Sequence, residues 1–246
     1  MDLQNKRKYF LYYCTTNSID RLQKFLDDPD FDPTFDNNES LYQAAYYYKT
    51  DNVKRLLQHP KITVYGGDHD PSRIVRAPLL GDWYDSDGIL NLFNFLIQQP
   101  EAVFDHKVIY LLFRKCTKPF RDRATELYKK YKPTINYAEI RNLIESAIIM
   151  SANEMLVELL KNPAAKDLCN DHSIYAHCWR HGRGDAIGIL AQQPSFNPMK
   201  LHIAFHVQKK YPYSSNKFYQ SIIEKSPKLQ RMYEMDFLSD IPKFLQ

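Results

Sequence analysis

Residues 31–60 read FDPTFDNNESLYQAAYYYKTDNVKRLLQHP, and this stretch decides the fold. Near its end, Leu56-Leu57-Gln58-His59-Pro60 sets an apolar pair, two polar residues and a proline in a row. Val53 lies three residues before Leu56, so Val53, Leu56 and Leu57 share one face of a helix. Proline has no N–H, and its ring clashes with the preceding turn, so the helix stops there. Upstream, residues 41–48 (LYQAAYYY) read as a first helix, with Asn37-Asn38-Glu39-Ser40 suited to cap its start. Thr50-Asp51-Asn52 reads as the turn between the two helices, and residues 27–40 (DDPDFDPTFDNNES) as a polar protruding loop. One unit is therefore helix, tight turn, helix and loop.

The closing phrase recurs along the chain. It ends at Pro29, Pro60, Pro100, Pro133, Pro163, Pro194 and Pro227, at intervals of 31, 40, 33, 30, 31 and 33 residues. Each copy has an apolar or aromatic position three residues before its pair: Leu22, Val53, Phe93, Ala124, Leu156, Ile187 and Tyr219. A period in this range marks stacked units that bury their apolar faces only against neighbours. The expected fold is all-α, a single solenoid over residues 1–246 with units at about 1–29, 30–60, 61–100, 101–133, 134–163, 164–194 and 195–227. Residues 228–246 read as a C-terminal cap. Aligned on the closing phrases, Ala45 corresponds to Cys14, Cys116, Ile148, Cys178 and Phe205, so three of the four cysteines fall in one buried slot. Leu41 corresponds to Phe10, Leu112, Ile144, Ile174 and Leu201.

These units resemble ankyrin repeats, most closely from Phe31-Asp32-Pro33 through Leu41, Ala44-Ala45, Val53 and Leu56-Leu57 to Pro60, and again at Ile174, His181-Gly182 and Asp185-Ala186-Ile187. The D-P loop and the LL-x-x-P ending are similar to divergent ankyrin-like repeats of large DNA viruses, protists and some intracellular bacteria. The T-P-L-H tetrapeptide is absent, and most units lack the Gly-His turn. The resemblance implies protein binding through a concave face and loop tips. A tetratricopeptide-type array is the competing architecture, but its W-x2-L-G-x2-Y pattern is missing.

Composition narrows the function classes. Seven glycines against 14 prolines leave no Gly-rich phosphate loop, and no P-loop, G-x-S-x-G or H-E-x-x-H is present. No catalytic residue, cofactor or small-molecule substrate is therefore expected. The longest apolar runs fall short of the ~20 residues of a membrane helix, and the N-terminus does not read as a signal peptide. With four scattered cysteines, that predicts reduced thiols in the cytoplasm or nucleus.

Four constellations stand out. On the expected concave face, Gln43 and Tyr47 have equivalents Tyr12 and Thr16, Arg114 and Lys118, and Ala176 and Arg180. Tyr12, Gln43, Tyr47, Arg114, Lys118 and Arg180 are thus the candidate contacts for a partner protein, still unidentified. Residues 113–133 carry eight Lys/Arg among aromatics, and Arg121, Arg123, Lys129, Lys130 and Lys132 form an alternative nucleic-acid surface. The commoner arrangement for such a stretch is a solvated helix face. Cys169, His172, His177, Cys178 and His181 have partial zinc-ligand spacing, with His202 and His206 repeating it. Cys178 belongs to the core slot, however, and no metal is assigned. Asp68-His69-Asp70, in the third unit's insertion, reads as a surface turn. Residues 27–39 carry six acids and no base, giving the array opposite signs along its length.

Overall fold

A computed structural model describes residues 2–81, 86–115, 117–131, 134–197 and 200–201. Every regular element among them is helical. The chain divides into two compact units between Lys115 and Cys116. The first holds α1 (Leu3–Cys14), α2 (Ile19–Leu26), α3 (Phe35–Tyr46), α4 (Thr50–Leu56), α5 (Arg73–Leu80), α6 (Ser86–Ile97) and α7 (His106–Arg114). The second holds α8 (Lys118–Tyr131), α9 (Tyr137–Ile149), α10 (Asn153–Leu160), α11 (His172–Arg180) and α12 (Gly184–Ala191), with two short 3-10 turns between α10 and α11. The expected seventh unit and the 228–246 cap lie outside the described residues, apart from Ser195–Asn197 and Lys200–Leu201.

Helix pairs repeat down to their dihedral angles. Ser18, Lys49, Ala152 and Arg183 precede α2, α4, α10 and α12 with φ between −114° and −85° and ψ between 55° and 68°. The turn before them is left-handed in three pairs, at Tyr48 (φ 56°), Ser151 (φ 54°) and Gly182 (φ 64°). There the next amide reaches back to a carbonyl five residues earlier: Lys49 to Ala44, Ala152 to Ala147 and Arg183 to Cys178, at 2.8–2.9 Å. The glycine conformation thus persists where glycine is gone. The turn lies at Tyr47–Lys49, and Thr50-Asp51-Asn52, expected to be the turn, forms the first turn of α4.

The closing prolines do more than end helices. The helices before Pro29, Pro60, Pro100, Pro163 and Pro194 stop three or four residues short of them. In all five, the amide two residues past the proline donates to the carbonyl just before it: Phe31 to Asp28, Ile62 to His59, Ala102 to Gln99, Ala165 to Asn162 and Phe196 to Gln193, at 2.9–3.1 Å. Proline is the second residue of a tight turn, for which its fixed φ is preset. The turn's last residue plugs the core: Phe31, Ile62, Ala165 and Phe196 are buried. Pro133 lies outside the described residues.

Two expectations are corrected. Asn37 and Asn38 do not cap α3. Asp36, Asn37 and Asn38 all take left-handed dihedrals (φ 52–61°), and right-handed helix resumes at Glu39. Asp and Asn tolerate that region best among residues with a side chain. The second correction concerns register. First helices bury residues at i, i+1, i+4 and i+5: Ser40, Leu41, Ala44 and Ala45 in α3; Leu143, Ile144, Ala147 and Ile148 in α9; and Ile174, Tyr175, Cys178 and Trp179 in α11. Trp179 therefore occupies the Ala45 slot and Cys178 the Ala44 slot, one residue from the expected alignment. Adjacent positions are both buried, so hydrophobicity alone does not separate them. In α7 the quartet is Val108, Ile109, Leu112 and Phe113. Leu112 there matches Ala44, not Leu41, because α8 runs 14 residues and counting back from Pro133 overshoots. Cys116 lies outside the described residues.

The first core gathers Phe10, Leu22, Phe31, Leu41, Val53, Leu56, Ile74, Leu92 and Leu96, with Phe10, Phe25, Phe31 and Phe35 in edge and tilted ring contacts at 4.9–6.1 Å. Neighbouring pairs are also joined by polar clamps at helix ends. Asn52 Nδ2 in α4 donates to the carbonyls of Tyr13 (3.1 Å), Cys14 (2.9 Å) and Thr16 (2.6 Å). Arg183 donates to Ile149 O at 2.7 Å, Arg121 to Met150 O and Lys115 to Gly81 O. The conserved turn geometry makes a simple prediction about glycine. Ser151→Gly, at an exposed left-handed site, raises stability by about 0.5–1 kcal/mol, and Gly182→Ala lowers it by about 1 kcal/mol. Urea unfolding of the two variants checks both signs.

Candidate protein interface

In the first unit α1, α3, α5 and α7 pack in that order. Their buried quartets set the register: Ser40, Leu41, Ala44 and Ala45 correspond to Ile74, Val75, Pro78 and Leu79 and to Val108, Ile109, Leu112 and Phe113. The opposite face of each helix then forms rows of equivalent positions. One row runs Lys8, Glu39, Arg73, Lys107; the next Leu11, Tyr42, Arg76, Tyr110; and another Thr15, Tyr46, Leu80, Arg114. Tyr12 and Gln43 share a fourth row.

Contacts across these rows match the register. Arg73 pairs with Glu39 and lies over the Tyr42 ring at 4.1 Å. Tyr42 and Tyr46 stack at 6.0 Å with 27° between planes, and Tyr47 meets Tyr46 edge-on at 5.1 Å. Asp70 binds Arg76 and reaches Lys107 at 3.6 Å. The insertion in the third unit serves this arrangement. A Cβ on Gly66 would come within 2.3 Å of Asp70 O and 2.8 Å of Arg73 Cβ, so glycine lets the loop fold back against the start of α5. Burial raises the Tyr42 hydroxyl's pKa, with nearby Arg73 opposing it.

The face is an aromatic shelf with a cationic border. Tyr9, Tyr12, Tyr47, Leu80 and Tyr110 are exposed, Tyr12 at 60 %. Gln43 is turned aside by its bond to Glu39 Oε1 at 2.5 Å. Of the six expected partner contacts, Tyr12, Gln43, Tyr47 and Arg114 fall in the first unit and Lys118 and Arg180 in the second. Arg114 matches Tyr46 and not Gln43, and Arg180 likewise matches Tyr46 and not Tyr47, by the register shifts described above. Ala176 is buried, and His177 and His181 hold the Gln43 and Tyr47 positions instead. Tyr46, Arg73, Lys107 and Tyr110 were missed by sequence reading. The signal was there in the i, i+1, i+4, i+5 burial quartet, once α5 and α7 are aligned on it rather than on the prolines.

The basic segment is largely engaged within its own unit. Arg121 binds Met150 O, Arg123 pairs with Glu126 at 2.7 Å, Lys129 pairs with Glu154, and Lys130 sits 5.0 Å from the Tyr131 ring centroid. Glu154 raises the Lys129 pKa through that bond. Lys118 is exposed, and Lys132 lies outside the described residues. The acidic loop is similarly occupied: Lys6 binds Asp28 at 2.8 Å and lowers its pKa, and Asp32 accepts from Thr34.

The other constellations separate. Cys169 is buried, with Sγ 3.1 Å from Ser195 Oγ, and burial pushes the Cys178 thiol far up. His177 and His181 are parallel at 6.4 Å, and His177 Nε2 is 3.5 Å from Glu145. Among the described residues no three His, Cys, Asp or Glu side chains gather as a metal site, and His202 and His206 lie outside them. Asp68 accepts from Tyr65 at 2.8 Å and Asp70 from Arg76, leaving His69 exposed between them. Among the described residues no helix is long and apolar enough to cross a membrane.

Burial lowers the His181 pKa, and the charges of His177, Arg183 and Arg180 add to the effect. Its folded pKa lies below the unfolded value, so the contribution is complete above about pH 6.5 and is lost as pH falls through the folded pKa. Wild type should lose stability relative to His181→Gln between pH 7.5 and 5.5, read as the gap between their thermal midpoints; parallel curves would refute the assignment. Comparisons with family models, curated proteins and solved structures returned no match.

Proposed function

We propose that the chain is an ankyrin-like solenoid of about seven helix pairs. In this reading it acts without catalysis of its own, as a scaffold that holds a partner protein against the outward faces of α1, α3, α5 and α7. The observation that carries this reading is the shelf of Tyr12, Tyr42, Tyr46, Tyr47 and Tyr110, bordered by cations on a packed helical base. Tyrosine and arginine are the usual anchors of binding surfaces, because they bring large area and few rotatable bonds. Helices that already pack in register lose little ordering entropy on binding. Free, buried thiols at Cys14, Cys169 and Cys178 fit a reducing compartment, the cytoplasm or nucleus.

The solvated face of α8 supports a nucleic-acid role less well, since Arg121, Arg123 and Lys129 are held by groups of their own unit. The test is affinity capture from the native cell, with wild type compared against a Tyr12→Ala/Tyr110→Ala double variant of equal thermal midpoint. Loss of the captured partner by about tenfold or more is expected, as for removal of interface anchors. Equal capture by both proteins, or capture abolished by nuclease, would contradict the reading.

A further inference from the structure

The ion pairs of the first-helix face close upon themselves. Arg73 has Glu39, and Asp70 holds both Arg76 and Lys107. Arg114 is engaged as well. Of the cations in these rows only Lys8, at the α1 edge, has no partner among the described residues. A ligand that complements this face therefore brings little charge of its own.

The tyrosine hydroxyls are in the opposite condition. Among the described residues, the phenolic oxygens of Tyr12, Tyr42, Tyr46 and Tyr110 make no hydrogen bond. Each can donate to a ligand carbonyl. The complement of such a surface is a chain rich in acceptors and poor in donors. Proline-rich chain has that character, because proline has no N–H and the polyproline II backbone leaves its carbonyls open.

Spacing points the same way. Each helix carries one apolar or aromatic patch on this face: Leu11 and Tyr12 on α1, the stacked Tyr42 and Tyr46 on α3, Leu80 on α5 and Tyr110 on α7. Packed helices lie about 8–10 Å apart, so a chain crossing them meets a new patch at that interval. A β-strand returns side chains to one face about every 6.6 Å, and an α-helix about every 5.4 Å, both out of step with the patches. A polyproline II chain has three residues per turn and rises about 3.1 Å per residue, so it repeats about every 9 Å. We propose that this face, on the interface reading above, takes an uncharged, proline-rich segment of a partner protein in the polyproline II conformation. About ten residues reach from α1 to α7, with every third one seated over a helix and its proline rings on the tyrosines.

The test is selection from a random library of peptides about twelve residues long on the full chain at about 0.15 M salt. Selected peptides should carry prolines three positions apart and few charged residues. The best of them should bind Tyr46→Ala/Tyr110→Ala about tenfold or more weakly. Tyr46→Phe/Tyr110→Phe keeps the rings and removes the hydroxyls, and should weaken binding by about threefold or more. Moving the prolines of that peptide from every third to every fourth position should abolish binding. Selection of alternating apolar residues, of helical anchors or of charged peptides would overturn the inference. So would unchanged binding by either double variant, or no selected peptide at all. A partner that the preceding experiment captures through Tyr12 and Tyr110, but that lacks a proline-spaced segment, would sink this inference and leave the interface reading standing.

Discussion

Every α-helix ends with carbonyls that have no amide partner inside the helix, and this chain meets that demand across its repeat boundaries. Asn52, 2 % exposed in α4, takes three carbonyls at the end of α1. Arg183 and Arg121 reach the end of α9 from two different neighbours, and Lys115 closes the end of α5. Arginine and lysine there also place positive charge at the negative end of the helix dipole. In each case donor and acceptor belong to different helix pairs, so satisfying a helix end also fixes the spacing and register of adjacent pairs. The outward rows depend on that register: Arg73 reaches both Glu39 and Tyr42 because α3 and α5 are held in step.

The composition follows from the same constraints. Proline is abundant partly because five described closing phrases, at Pro29, Pro60, Pro100, Pro163 and Pro194, each end a helix and preset a tight turn, and four of these turns drive Phe31, Ile62, Ala165 or Phe196 into the core. Glycine is scarce although the left-handed turn is kept. Tyr48 and Ser151 hold at φ near 55° what Gly182 holds at 64°, secured by the back-reaching amide that follows each. Such residues carry a local strain that the surrounding helix ends outweigh. Glycine is spent instead at Gly66 and Gly67, where the third unit's insertion closes against Arg73 and Asn37.

Much of the helical architecture was legible in residues 31–60. Apolar spacing at Val53, Leu56 and Leu57, ended by Pro60, identifies the second helix, and its recurrence identifies the pairs. The turn chemistry was less legible, since nothing in Tyr48 or Ser151 marks a left-handed residue. Asn37 and Asn38 suit a cap and a left-handed turn equally well. The site was read with a slip because helix lengths vary: α8 has 14 residues and α2 has 8, so counting back from a proline misplaces α7. Tyr12 and Tyr47 were found because their units have the common length. Arg73 and Tyr110 needed α5 and α7 aligned on their buried quartets, which counting back from the prolines obscures.

Helix-end capture couples one pair to the next, and native-state amide exchange of Asn52→Ala tests that coupling most directly. If the clamp joins pairs, amides of α1 and α4 lose protection together, by about 1–3 kcal/mol for a buried acceptor set left unpaired. Loss confined to α4, with α1 protected as in wild type, would contradict it.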